Sequence, residues 1–299
     1  MSAEPNPDLQ APVALVTGAT SGIGRAIALK LASDGFYVIV HGRDASRGKE
    51  TIQEIESKGG RGRFVPADLT APGDIARLAS DAGAVDVLVN NAGFSWFEPT
   101  ADLDVATFDS LLASNVRSAY FLVAAIAPKM AERGAGSIIN LARMAGQIGL
   151  AGGAAYGATK AAQAALARAW AAEFSPRGVR VNAVAPGPVF TRGAAPDRTE
   201  KLGSTTLLNR AAQAEEIAEV VAFLASPKAA ATSPVQPSPS TAAEPPSKCC
   251  SKTSVDRPVS RIKAWPLRLF RENLPGNGCW PPPTSSSTRK ACMWLASTG

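Results

Sequence analysis

All four cysteines of this 299-residue chain (Cys249, Cys250, Cys279 and Cys292) lie beyond residue 248, so the sequence before them has none. Their spacing fits no metal-ligand pattern, and a chain without a leader keeps its thiols reduced, which argues against zinc and against a disulfide framework. Histidine is almost absent: His41 is the one copy, and it reads as a strand-end residue rather than a catalyst. No run approaches the roughly 18 apolar residues of a membrane span. The first twelve residues lack the basic-then-apolar opening of a secretory signal, so the chain reads as cytoplasmic. No internal repeat is present at periods of about 20–50 residues. Acidic excess is missing too, but the net charge of +6 is unevenly placed. Residues 1–231 hold 22 basic and 22 acidic groups, and residues 232–299 hold 9 and 3. The basic balance therefore belongs to the tail and gives the rest no reason to bind nucleic acid. That tail also carries 11 of the 23 prolines and no sustained periodicity, so residues 231–299 read as low-complexity and disordered, as do residues 1–11.

What is present, over residues 12–230, is an alternation of short apolar runs and helical patterns. Val13–Val16, Tyr37–Val40, Phe64–Val65, Val85–Val89, Ser137–Leu141 and Val179–Val184 read as strands. Ile23–Ala32, Ala45–Lys58, Pro72–Ala82, Phe108–Arg133, Ala154–Phe174 and Ala214–Leu224 read as helices. Uninterrupted apolar strands between helices imply a parallel sheet buried on both faces. Right-handed crossovers then give an α/β fold with a doubly wound, Rossmann-like parallel sheet in a single domain, with its ligand outside the strand carboxyl ends.

The first strand–helix junction reads Thr17-Gly18-Ala19-Thr20-Ser21-Gly22-Ile23-Gly24. Glycines let the backbone approach a pyrophosphate, and the free amides at the positive end of the helix hold it. A plain tight turn uses the same glycines; the strand–turn–helix context is what favours a dinucleotide. The second strand ends His41-Gly42-Arg43. Gly42 leaves empty the place where an acidic side chain would take a ribose 2′-hydroxyl, and Arg43 offers a guanidinium for a 2′-phosphate. That favours NADP over NAD; the alternative is a solvated surface arginine. Farther on, Tyr156-Gly-Ala-Thr-Lys160 puts a phenol and an ammonium four residues apart on one helix face. A fixed cation near a tyrosine lowers its pKa and suits it to hand a proton to a carbonyl oxygen or take it back.

Thr17-Gly18-x-x-x-Gly22-x-Gly24, Asn90-Asn91-Ala92-Gly93, Asn115, Tyr156-x-x-x-Lys160 and Pro186-Gly187-Pro188-Val189-Phe190-Thr191 together resemble the short-chain dehydrogenase/reductase family. The resemblance implies that Thr17, Gly18, Ser21, Gly22, Ile23 and Gly24 hold the cofactor phosphates. It puts Asp68 and Leu69 at the adenine and Asn91, Ala92 and Gly93 under the cofactor. Lys160 and Tyr156 would meet the nicotinamide ribose, and Pro186, Gly187, Val189 and Thr191 the carboxamide side. Asn115 would hold a proton-relaying water. Residues from about Phe190 to Leu208 would form a mobile substrate loop. The family is usually homo-oligomeric, which this chain's ending puts in question.

Two departures stand out. The family carries a serine thirteen residues before the tyrosine, and here Arg143 occupies that place. Arginine donates hydrogen bonds but is longer and permanently charged. Tyr156, Lys160, Asn115 and Arg143 are thus the catalytic candidates, with activity expected to be weak or lost. The family also closes its sheet with a last strand, and none follows Pro227. Residues 231–247, back-translated and moved by two bases, read Asp/Tyr-Ile-Thr-Gly-Ala-Ala-Val-Ala-Val-Asp-Gly-Gly-Arg-Thr-Ala-Ile with permitted synonymous codons. That is the expected closing strand, so a frameshift near Ala231 accounts for the tail; the alternative is a natural extension. Without that strand, Val179–Val184 becomes an open sheet edge. The resulting reading is an NAD(P)-dependent oxidoreductase, NADP-preferring, acting on a small carbonyl or alcohol substrate, with no metal, nucleic-acid or membrane partner. A 3-oxoacyl-carrier-protein reductase is the nearest enzyme alternative. An NADP-binding protein without turnover, or a non-functional gene product, is the alternative of another class.

Overall fold

The computed structural model describes residues 11–191 and 195–226. Strands and helices alternate as β1 (Val13–Val16), α1 (Gly22–Ser33), β2 (Tyr37–Gly42), α2 (Ala45–Ser57), β3 (Arg61–Pro66), α3 (Pro72–Ala82) and β4 (Val87–Asn90). Then come α4 (Val105–Leu112), α5 (Ser118–Arg133), β5 (Gly136–Leu141), α6 (Ala154–Phe174), β6 (Val179–Val184), α7 (Pro196–Gly203) and α8 (Ala214–Ala225). The six strands form one parallel sheet in the order β3-β2-β1-β4-β5-β6. The chain order reverses between β1 and β4, which opens a crevice at their carboxyl ends.

The central strands β1 and β4 are almost wholly apolar and buried because helices cover both faces, whereas the edge strands β3 and β6 carry Arg61, Arg63 and Arg180. Leu15, Ile39, Leu88 and Ile138 pack with Leu78, Leu122, Met130 and Phe174 on one side. Their strand neighbours Val16, Val40, Val89 and Ile139 pack with Ile27, Leu31, Ile55 and Val221 on the other. Burying each large aliphatic side chain contributes about 1.5–3 kcal/mol, so the crevice stands on a rigid base.

The doubly wound sheet is as read from the sequence, but two helical regions differ. The single helix expected over Phe108–Arg133 is α4 and α5 joined by a π-helical turn, Ala113–Arg117. The π turn carries Asn115 inward, where its side chain bonds Phe94 and Thr159. The segment Val105–Arg133 is long and apolar enough to cross a membrane, yet half of its apolar window is buried inside the protein. Leu122, Val123, Ile126 and Met130 serve the core. The second difference is α7, inside the segment expected to be a mobile loop. Its sequence, Pro-Asp-Arg-Thr-Glu-Lys-Leu-Gly, has little apolar periodicity, although Pro at its start and Asp197 in its first turn are helix-start signals.

At the far edge, Arg180 of β6 donates to the carbonyls of Leu224 (2.6 Å), Ala225 (3.3 Å) and Ser226 (3.2 Å), and Ser137 Oγ to Leu224 (3.1 Å). The end of α8 is thereby pinned beside β5 and β6. Among the described residues, β6 has no strand on its outer side. The readings made for residues 1–10 and 227–299, the disordered termini and the frameshift included, lie outside the described residues.

Candidate active site

The β1–α1 turn is built for close approach. A Cβ on Gly24 would stand 2.2 Å from the Gly18 carbonyl oxygen, so only glycine lets α1 start there. Thr17 Oγ1 donates to Val89 O (3.1 Å) and accepts from the amides of Asn91 and Ala92 (3.0 Å each). Asn91 Nδ2 returns bonds to the carbonyls of Thr17 (2.9 Å) and Gly18 (3.1 Å). The loop is thus welded to the end of β4. Ser21 precedes α1 without a side-chain cap, and the first turn of α1 contains no acidic residue. The first-turn amides are therefore left to whatever enters the crevice.

The buried His41 has a role that the sequence did not reveal. The Gly18 amide donates to His41 Nδ1 at 3.1 Å, and His41 Nε2 lies 3.1 Å from Ala67 O. These partners require a neutral ring protonated at Nε2. Burial, the largest cause, pushes its pKa down to about 4. Gly42 follows, and a Cβ there would stand 2.4 Å from Thr20 Cγ2. An acidic side chain at this place has no room without displacing Thr20. Arg43 is exposed and lines the cavity. Asp68 Oδ1 accepts from the amide and hydroxyl of Thr70 (3.0 and 2.8 Å). Those bonds first, and Arg43 more weakly, hold its carboxyl below the usual range.

Tyr156 and Lys160 come from α6 and both are buried. The ammonium is fixed by partners other than the phenol. Lys160 Nζ donates to Leu141 O (2.8 Å) and Gln163 Oε1 (3.0 Å). Burial raises the Tyr156 pKa, and the nearby Arg143 opposes the rise. Burial first, then Arg143, pushes Lys160 down to about 7. Arg143 reaches this place because its loop lies flat on α6: a Cβ on Gly146 would stand 2.6 Å from the Ala161 amide.

Gln163, also missed in the sequence, donates through Nε2 to Asn115 O at 2.7 Å. It links the lysine directly to the π turn. Its i+3 spacing from Lys160 was the available signal. Asn115 itself uses its side chain to brace the chain at Phe94 and α6 at Thr159.

One cavity of about 560 Å³ runs through these parts. Gly18, Ser21, Gly22, Ile23 and Gly24 line it at α1. Arg43, Asp68 and Leu69 line it at the β2–β3 end, and Asn91, Ala92 and Gly93 at β4. Arg143, Tyr156, Lys160, Pro186 and Thr191 complete it. Thr17, Asn115, Gly187 and Val189 are not in its lining. Thr17 and Asn115 brace the wall, and the buried Val189 bridges Ala212. Free amides at one helix end, an arginine at the β2 end and a phenol beside two cations at the other end fit a phosphate-bearing dinucleotide with a carbonyl compound beside it. Among the described residues no cluster of His, Cys, Asp or Glu is suited to a metal.

The short chain dehydrogenase family matches residues 12–202. A curated relative, 3-oxoacyl-[acyl-carrier-protein] reductase of Staphylococcus epidermidis, is 36% identical over 225 residues, covering 72% of this chain and 92% of that protein. Among solved structures, a short chain dehydrogenase/reductase family protein is 49% identical with a TM-score of 0.68, over 74% of this chain and 92% of its own. A 3-oxoacyl (acyl-carrier-protein) reductase from Agrobacterium tumefaciens C58, solved with NADP bound, is 32% identical with a TM-score of 0.70, over 74% and 90%.

Proposed function

The chain belongs to the short-chain dehydrogenase family, and from that premise we propose an NADP-preferring oxidoreductase that interconverts an alcohol and a ketone. The observation that carries this reading is one cavity lined both by the uncapped start of α1 and by Tyr156 and Lys160 of α6. Bound NADPH would supply the hydride. The amides of Ser21 to Gly24 and the wall from Asn91 to Gly93 would hold it, with Arg43 at the 2′-phosphate and Asp68 and Leu69 near the adenine. Pro186 and Thr191 would close the other end, with Gly187 and Val189 shaping their loop.

Tyr156 Oη gives its proton to the carbonyl oxygen in reduction and takes one back in oxidation. Lys160, fixed by Leu141 O and by Gln163, which in turn bonds Asn115 O, would meet the nicotinamide ribose. Arg143 stands where a short hydroxyl donor would serve the carbonyl. Replacing a positioned donor with a long, charged one lowers turnover of a neutral ketone on the order of 10²-fold.

That charge also supports a second reading, an NADP-binding protein without turnover. The relatives support a 3-oxoacyl-carrier-protein reductase as the enzyme alternative. The α4–α5 surface exposes Phe108, Leu112, Tyr120 and Phe121, which supports self-association in a cytoplasmic protein. The test is NADPH oxidation across a panel of neutral ketones by the parent, Tyr156→Phe and Arg143→Ser. Tyr156→Phe should abolish reduction and Arg143→Ser should raise it. Robust, equal rates in the parent and Arg143→Ser would sink the impairment, and an unchanged rate in Tyr156→Phe would sink the mechanism.

A further inference from the structure

We infer that Arg143 turns the carbonyl end of the cavity into an anion site, so that the substrate is a 2-oxo or 3-oxo carboxylate rather than a neutral ketone; this rests on the oxidoreductase reading above. Arg143 lines the cavity beside Tyr156 and Lys160. Among the described residues no carboxylate pairs with its guanidinium, and Arg143 is near enough to Tyr156 to oppose the rise of the phenol's pKa. Lys160 is no better neutralised: its two acceptors, Leu141 O and Gln163 Oε1, are uncharged. A third cation stands one ring away. Arg198 lies 4.8 Å over the Phe97 ring, and that ring is 5.5 Å from the ring of Tyr156.

The acidic residues of the same cavity do not oppose this charge. Asp44 and Asp68 belong to the β2–β3 end. Asp44 caps α2 and pairs with Arg47, and Asp68 is engaged by Thr70. Near Phe97, Glu98 accepts from Trp96 Nε1 at 2.8 Å.

A neutral ketone leaves the Arg143 guanidinium without an anionic partner. A carboxylate offers the guanidinium fork a bidentate partner. Burial first, and the Arg143 charge second, depress the Lys160 pKa. Because Arg143 and Tyr156 line the same end of the cavity, a carboxylate one or two carbons from the carbonyl would meet the guanidinium while the carbonyl meets the phenol. Reduction then transfers hydride to the carbonyl carbon and the Tyr156 proton to its oxygen, and the carboxylate is unchanged.

The test compares 3-oxobutanoate with its methyl ester, in the parent, Arg143→Ser and Arg143→Lys. NADPH binding is measured first by fluorescence. Each compound is then titrated calorimetrically into the protein–NADP⁺ complex, so that a protein without turnover still reports. The parent should bind the acid about 10- to 100-fold more tightly than the ester, the range of a charge-assisted hydrogen bond. Arg143→Ser should lose that preference and Arg143→Lys keep part of it. A parent that binds acid and ester equally, or an acid preference that survives Arg143→Ser, overturns the anion site and leaves the oxidoreductase reading standing. A folded parent that binds no NADPH overturns both.

Discussion

His41 ties the stability of the protein to pH through the cofactor loop. Its ring accepts from the Gly18 amide and lies against Ala67 O, both at 3.1 Å. Protonating Nδ1 removes the acceptor and puts a charge in a buried place. The folded pKa of about 4 is below the ordinary value of 6.5, so the unfolded chain binds the proton first. Stability is therefore full above pH 6.5 and falls as the pH drops toward 4. From these two values, lowering the pH from about 7.5 to about 5 removes roughly 2 kcal/mol through this one group. Urea unfolding of the parent and His41→Gln at both pH values isolates it. Glutamine keeps a polar group in place and does not titrate, and the carboxylates weaken both proteins alike. The parent should lose about 2 kcal/mol more than the variant over that interval. Parallel losses in the two proteins would refute the assignment of His41 as a neutral brace.

Other sites respond in distinct ways. Gln163→Leu removes an acceptor from Lys160 and leaves Asn115 O without its donor, which should lower stability by about 1–3 kcal/mol in urea unfolding and reduce kcat more than NADPH affinity. An unchanged midpoint and kcat would show that the link is dispensable. For the open β6 edge, sequencing the gene across codons 225–250 should reveal a shifted open frame. A frame-restored protein should then unfold at higher urea than the parent; matching midpoints would contradict the edge argument.

Much of the architecture was legible because apolar strands and helices bounded by glycine or proline leave local marks. β1, α3, α6 and β6 have the ends expected from Val13–Val16, Pro72–Ala82, Ala154–Phe174 and Val179–Val184. The π turn was not legible, because α4 and α5 continue one apolar pattern across it, and what distinguishes Ala113–Arg117 is a tertiary contact from Asn115 to Phe94. α7 was hidden by its polarity. In the site, spacing brought Tyr156 and Lys160 to one helix but did not show where the ammonium points. That is set by Leu141 O from β5 and by Gln163. His41 and Arg143 are the converse case: each is a single letter whose meaning comes from a loop folded against it.

The central claim is that this cavity holds a reduced pyridine nucleotide by backbone amides, with Arg43 choosing the phosphorylated form. Fluorescence titration of the folded parent and Arg43→Ala with NADPH and NADH tests it directly. The parent should bind NADPH at least about 10-fold more tightly than NADH, and Arg43→Ala should erase the difference. Folded parent protein with no affinity for either nucleotide would contradict it.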